Sequence, residues 1–159
     1  MSLPPSAAPD HADVWVPPPL ILAGFFALGA LLERWFPAMP IPTPWRRLSA
    51  GLCLAASGGI FAWGLACFTR ARTSPVPFQR SAVLLTSGPY RFSRNPLYVS
   101  AALLYAGLAL WWKVLWALPL LPLALAALRR LVIDKEEGFL ERRFGMEYLD
   151  YKKRVRRWL

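Results

Sequence analysis

Apolar positions in this chain come in long runs, and polar positions gather in the connections between them and at the two ends. The first run covers residues 20–36, entered through Pro17, Pro18 and Pro19 and left at Glu33, Arg34 and Pro37. The second, residues 48–68, carries no charge and is long enough to cross a bilayer as one helix. Residues 97–128 are apolar apart from Lys113. As a single helix they would extend roughly 48 Å, well beyond a hydrocarbon core of about 30 Å. A hairpin of two short helices turning near Trp111, Trp112 and Lys113 resolves that excess, with paired Trp beside a Lys as an interfacial belt. Pro119 and Pro122 are tolerable in a membrane helix whose neighbours satisfy the freed carbonyls.

The pattern changes after the hairpin. Leu140, Phe144, Tyr148, Tyr151, Val155 and Trp158 recur at helical spacing, while Arg142, Arg143, Lys152, Lys153, Arg156 and Arg157 fall outside that stripe. This predicts an amphipathic helix lying along the interface, with Gly145 as a potential break. Extended backward, the stripe brings Glu136 and Glu137 near its inward face, where buried acids need partners. In the second run, Gly51, Gly58, Gly59 and Gly64 offer surfaces for close helix packing.

Composition and charge then set class and orientation. With 56% hydrophobic residues and eight Trp in 159 residues, the chain reads as a small all-α integral membrane protein. About four spanning helices, the last two a hairpin, precede the cytoplasmic interfacial helix. The chain forms one membrane domain over residues 1–159: a polar tail at 1–19, two spans and their connection at 20–82, and a C-terminal region at 83–157. A cleaved signal peptide is the competing reading of the first run, but no Lys or Arg precedes it.

The formal charge of +10 reflects placement rather than nucleic-acid binding. Of the 19 basic residues, five lie in the connection after the second run and ten from Arg129 onward. With four spans these segments share a side, which the positive-inside bias makes cytoplasmic, together with both termini. A bacterial inner membrane suits this layout. The charge also favours anionic lipids as neighbours. Cys53 and Cys67 fall in one run, about 21 Å apart along a helix, so no disulfide is expected.

His11 is the lone histidine and sits in the polar tail, which excludes histidine-cluster metal sites and a His-dependent triad. No Gly-rich phosphate loop follows a strand. The remaining polar candidates are the loop GPYRFSRNP at residues 88–96 and the group Arg130, Glu136 and Glu137. Pro96 suits the first turn of the following helix. One reading of the loop is an interfacial turn whose arginines face headgroups.

The loop with its following helix, GPYRFSRNPLYVSAALLYAGLAL, and the segment EEGFLERRFGMEYLDYKKRV resemble the isoprenylcysteine carboxyl methyltransferase family and the related bacterial phospholipid methyltransferase-like membrane proteins. Gly88, Pro89, Tyr90, Arg91, Arg94, Pro96, Tyr98, Gly107, Glu136, Glu137, Phe144, Gly145, Tyr148 and Tyr151 carry the resemblance, which covers residues 83–157. It implies transfer of a methyl group from S-adenosylmethionine to a lipophilic acceptor at the cytoplasmic membrane face. The acceptor could be an isoprenylcysteine carboxylate, a phospholipid or another hydrophobic small molecule. The implied cofactor-binding residues are Tyr90, Arg91, Arg94, Asn95, Pro96, Tyr98, Gly107, Glu136 and Glu137, with Arg130 and Glu136 as catalytic candidates and no metal.

The cofactor's carboxylate, ammonium, ribose diol and sulfonium call for arginine donors, carboxylate acceptors and aromatic faces. Asn95 stands where many family members carry His, and an amide can position a ligand but cannot act as a base. Ser100 replaces a frequent glycine, and the chain ends VRRWL without the proline that often follows the valine. Two rival readings remain open: a membrane reductase of the steroid-reductase kind using reduced nicotinamide dinucleotide phosphate, and a noncatalytic membrane protein that binds anionic lipid.

Overall fold

The computed structural model describes residues 16–38, 41–71 and 83–159, and no strand occurs among them. Helix α1 spans Pro18–Trp35 and helix α2 Thr43–Arg70. Both are long and apolar enough to cross a membrane. Their apolar surfaces face outward, with only 11% of each apolar window buried, whereas a soluble core helix would hide that surface. Helix α3 covers Pro96–Trp112 and helix α4 Ala117–Leu128, both short for crossing a bilayer without local thinning. A π turn, Arg129–Ile133, leads from α4 into α5, Asp134–Phe144, and α6 follows at Met146–Arg154. His11, Arg72 and Arg80 lie outside the described residues.

Local chemistry explains the boundaries. Proline occupies the first turn of α1, α2 and α3, where its missing N–H costs no intrahelical bond. Lys113 closes α3 in the left-handed region at φ 61°, so the 97–128 run is divided where the Trp pair and lysine predicted a turn. Gly145 separates α5 from α6 with φ 55°, a conformation that side chains with a Cβ rarely adopt.

Close approach holds the helices together. A Cβ on Gly29 would stand 2.7 Å from the Ala117 backbone, and one on Gly107 would stand 2.9 Å from Leu54 and 3.3 Å from Cys53. These contacts pack α1 on α4 and α2 on α3. Gly64 meets Leu97 in the same way, but a Cβ on Gly51, Gly58 or Gly59 would meet nothing within 4 Å. Hydrogen bonds tie the same pairs: Ser57 Oγ donates to the Ser100 carbonyl at 2.7 Å. Buried Arg46 donates to the carbonyls of Leu110 and Trp111, capping α3. Cys53 and Cys67 are free thiols on α2.

The tail departs from its predicted stripe at one end. Leu140, Phe144, Tyr148 and Tyr151 turn toward the body, as their spacing requires. Helix α6 stops at Arg154, however, and Val155 is extended at φ −120°, ψ 130°. Helical phase therefore ends before Arg157, which turns inward although its spacing assigned it to the solvent face.

Candidate active site

Gly88 opens the short 3-10 turn Gly88–Arg91 at φ 61°, and a Cβ there would lie 2.6 Å from Cys67 Sγ. Only glycine seats this loop so tightly against α2. Tyr90 follows, buried, with its ring edge-on to Phe68 at 5.8 Å. The loop then binds the end of the tail. The Arg94 amide donates to the Arg156 carbonyl at 2.9 Å. Ser93 Oγ and the Asn95 side-chain amide both donate to the Arg157 carbonyl, at 3.1 and 3.2 Å. Tyr151 donates its hydroxyl to the Tyr90 carbonyl at 2.7 Å.

Two charged groups complete this clasp. Arg157 donates through Nε and Nη2 to both oxygens of Glu137, at 3.0 and 2.8 Å, a forked pairing that suits guanidinium and carboxylate. Arg94 Nη2 stands 3.5 Å from Glu137 Oε1. Asp134 takes Arg157 Nη1 at 2.9 Å. Glu137 is thus buried but compensated, with most of its acceptor sites filled. Glu136 faces elsewhere, accepting the Tyr98 hydroxyl at 2.7 Å.

Beside the clasp lies a cavity of about 820 Å³. Its polar head is formed by Tyr90, Arg94, Asn95, Tyr98, Glu136, Glu137, Tyr148 and Tyr151. From there an apolar trough follows one face of α3 through Ala101, Leu104, Tyr105, Leu108 and Trp112, with Leu22 and Phe26 of α1 opposite. By helical rise, Pro96 to Trp112 extends roughly 24 Å.

The head contains donors with nothing to bind. Arg94 Nε and Nη1 and the Tyr148 hydroxyl are buried and find no hydrogen-bond partner among the described residues. Such atoms normally find partners, so orphaned donors along one cavity wall indicate where a ligand belongs. Burial raises the Glu136 carboxyl above the usual carboxylate range, the Tyr98 hydrogen bond opposes that shift, and the Glu137 charge adds to it. Burial likewise raises the phenols of Tyr90 and Tyr148, and pushes Tyr151 up to about 12 against the opposing charge of Arg94. At neutral pH these phenols remain protonated donors. No cluster able to hold a metal occurs among the described residues.

Of the residues singled out from sequence, Tyr90, Arg94, Asn95, Pro96, Tyr98, Glu136 and Glu137 meet at this cavity. Three do not. Arg91 is exposed and off the lining. Gly107 faces α2, where its value is close packing rather than ligand contact. Arg130 is exposed on the wall of a second cavity, on the face of α4 it shares with Pro122 and Ala126. Sequence reasoning missed Arg157 as a partner of Glu137, and no periodic signal marks it once the helix has ended. It also left Tyr148 and Tyr151 outside the ligand set, although their place on the inward stripe was a usable signal.

The family model for phospholipid methyltransferases matches residues 45–147, from the start of α2 into α6. No curated protein and no solved structure matches the chain. The match takes in the loop, α3, the hairpin and both glutamates, and the helices around them turn apolar faces outward as in a membrane protein. Covering well over half of the sequence, it shows that the chain belongs to the phospholipid methyltransferase family, whose chemistry is methyl transfer to lipids.

Proposed function

We propose that this protein transfers a methyl group from S-adenosylmethionine to a lipophilic acceptor at the cytoplasmic membrane face. The observation that carries the reading is the set of unpartnered donors, Arg94 Nε, Arg94 Nη1 and the Tyr148 hydroxyl, at the polar head of a cavity that continues as an apolar trough.

The residues at the head fit the cofactor's chemistry. Arg94 offers its unpartnered Nε and Nη1 donors to a carboxylate, Glu136 a carboxyl for ribose hydroxyls or an ammonium, and Tyr90 and Tyr98 ring faces for a cation. When bound, that cofactor supplies an electrophilic methyl group. The chain's own part is to bind and align. Glu137, held by Arg157, fixes the Arg94 guanidinium, so its role is positioning rather than direct contact. Tyr98 holds Glu136 in place, and the Asn95 amide is committed to the Arg157 carbonyl, which leaves no base at that position.

The trough suits an extended apolar chain whose reactive end reaches the head. Its Leu, Phe and Trp walls exclude water, which favours an in-line displacement by holding nucleophile and methyl group in line. An acceptor that arrives ionised needs no general base. Arg130, away from this cavity, has no part in the step.

Both termini on the cytoplasmic side, four crossings in a bacterial inner membrane, and residues 83–157 as the cofactor-binding region belong to the same reading. The test is to supply S-adenosylmethionine labelled in its methyl group to the purified protein with total membrane lipid. Mass spectrometry should find the label in a lipid fraction with wild-type protein and lose it with Arg94→Ala. Label in no lipid, or equal labelling by Arg94→Ala, would overturn the proposal.

A further inference from the structure

A second cavity, about 780 Å³, lies on the other side of α3 from the candidate active site. Val99, Ala102, Leu103 and Ala106 of α3 form one wall, and Leu121, Pro122, Leu125 and Ala126 of α4 form the other. At its mouth stand Arg129, Arg130, Asp134 and the C-terminal Trp158 and Leu159. We propose that this groove binds an anionic phospholipid, with the phosphate on Arg129 and Arg130 and one acyl chain between α3 and α4.

The alanines on the walls leave a depression that bulkier residues would fill, and Val99 to Ala106 extends it roughly 10 Å along α3. Helices α3 and α4 are apolar, so a groove between them opens on hydrocarbon, where a lipid chain is the natural occupant.

Charge then selects the headgroup. Arg129 has a long contact of 3.8 Å to Asp134, with 58% of its side chain exposed. Asp134 is already committed to Arg157 at 2.9 Å, and Arg130 has no ion pair among the described residues. The rim therefore carries one cation, Arg130, with no ion pair among the described residues, and a second, Arg129, held only by a long contact to a carboxylate that Arg157 shares. A phosphate diester matches the guanidinium fork, and basic pockets between helices at the cytoplasmic side are where anionic headgroups dock. Helical spacing carries both arginines to the rim, since Leu121, Leu125 and Arg129, and likewise Pro122, Ala126 and Arg130, recur at four-residue intervals along the groove side. A Trp at the same level suits an interfacial position.

This groove lacks the tyrosines and paired glutamates of the first cavity, so it is suited to holding a lipid rather than methylating one. The inference is independent of the methyl-transfer reading.

The experiment is native mass spectrometry of the full chain released from detergent, titrated with dioleoyl phosphatidylglycerol, dioleoyl phosphatidylcholine or glycerol 3-phosphate. Phosphatidylglycerol should be retained roughly tenfold or more over phosphatidylcholine, and glycerol 3-phosphate should show no saturable binding. The double substitution Arg129→Gln, Arg130→Gln should abolish the preference, while the exposed pair Arg142→Gln, Arg143→Gln should leave it intact. Ala106→Phe fills the groove without touching the arginines and should weaken phosphatidylglycerol retention by itself. Equal retention of the two lipids, a preference that survives both groove variants, or glycerol 3-phosphate binding as tightly as the lipid would each overturn the proposal.

Discussion

Glu136 and Glu137 are chain neighbours with opposite circumstances. Glu137 is held by two arginines; Glu136 has a phenol for a partner, and burial lifts its carboxyl above the ordinary 4.5. The folded protein therefore holds the Glu136 proton more tightly than the unfolded chain does. Stability from that protonated form is complete below pH 4.5 and is lost as pH rises through the raised value. Glu136→Gln cannot lose the proton. Its melting temperature in detergent should match wild type near the acid end and exceed it progressively toward pH 8. A difference that is constant across pH would show that Glu136 is not displaced. For the clasp, Arg157→Ala should cost about 2 kcal/mol by removing charged hydrogen bonds from buried Glu137, whereas Arg156→Ala, exposed, should cost little. Thermal unfolding of the two variants side by side checks this. The inward position of Glu137 was legible because it precedes Leu140 by one helical turn. That of Arg157 was not, because an extended segment carries it there.

The helices were legible as apolar runs because a membrane-exposed helix repeats hydrophobicity on every face rather than on one. Prolines marked the starts of α1 and α3, but α2 begins at Thr43, ahead of the apolar run read at 48–68, and the Lys113 turn gave the hairpin. Helix pairing was less visible. A glycine in sequence announces room for a neighbour, yet only contact identifies which glycine has one: Gly107 meets Leu54 and Cys53, while Gly58 meets nothing within 4 Å. Gly107→Val should therefore destabilise the protein by about 1–3 kcal/mol through overpacking, and more than Gly58→Val, measured as melting temperature in one detergent. Equal losses would mean that helix propensity, not α2–α3 packing, governs both. The π turn left no sequence mark either. Arg129 and Arg130 look like further members of a basic segment, although their four-residue spacing from Leu125 and Ala126 sets them on one groove.

At the scale of the molecule, two segments about forty residues apart in sequence close on each other to make one polar head. Their common side was legible from charge placement, and their mutual contact only from the resemblance of both segments to one family. The same charge asymmetry predicts that reporters fused to either terminus report a cytoplasmic location; a periplasmic signal from either would reverse the orientation. That the head grips the amino-acid carboxylate of an S-adenosyl nucleotide through Arg94 is checked by calorimetric titration of the purified protein with S-adenosylhomocysteine, which keeps that carboxylate. One saturable site is expected, weakened about tenfold or more by Arg94→Ala and unchanged by exposed Arg91→Ala. No binding at millimolar ligand, or equal weakening by both substitutions, would contradict it.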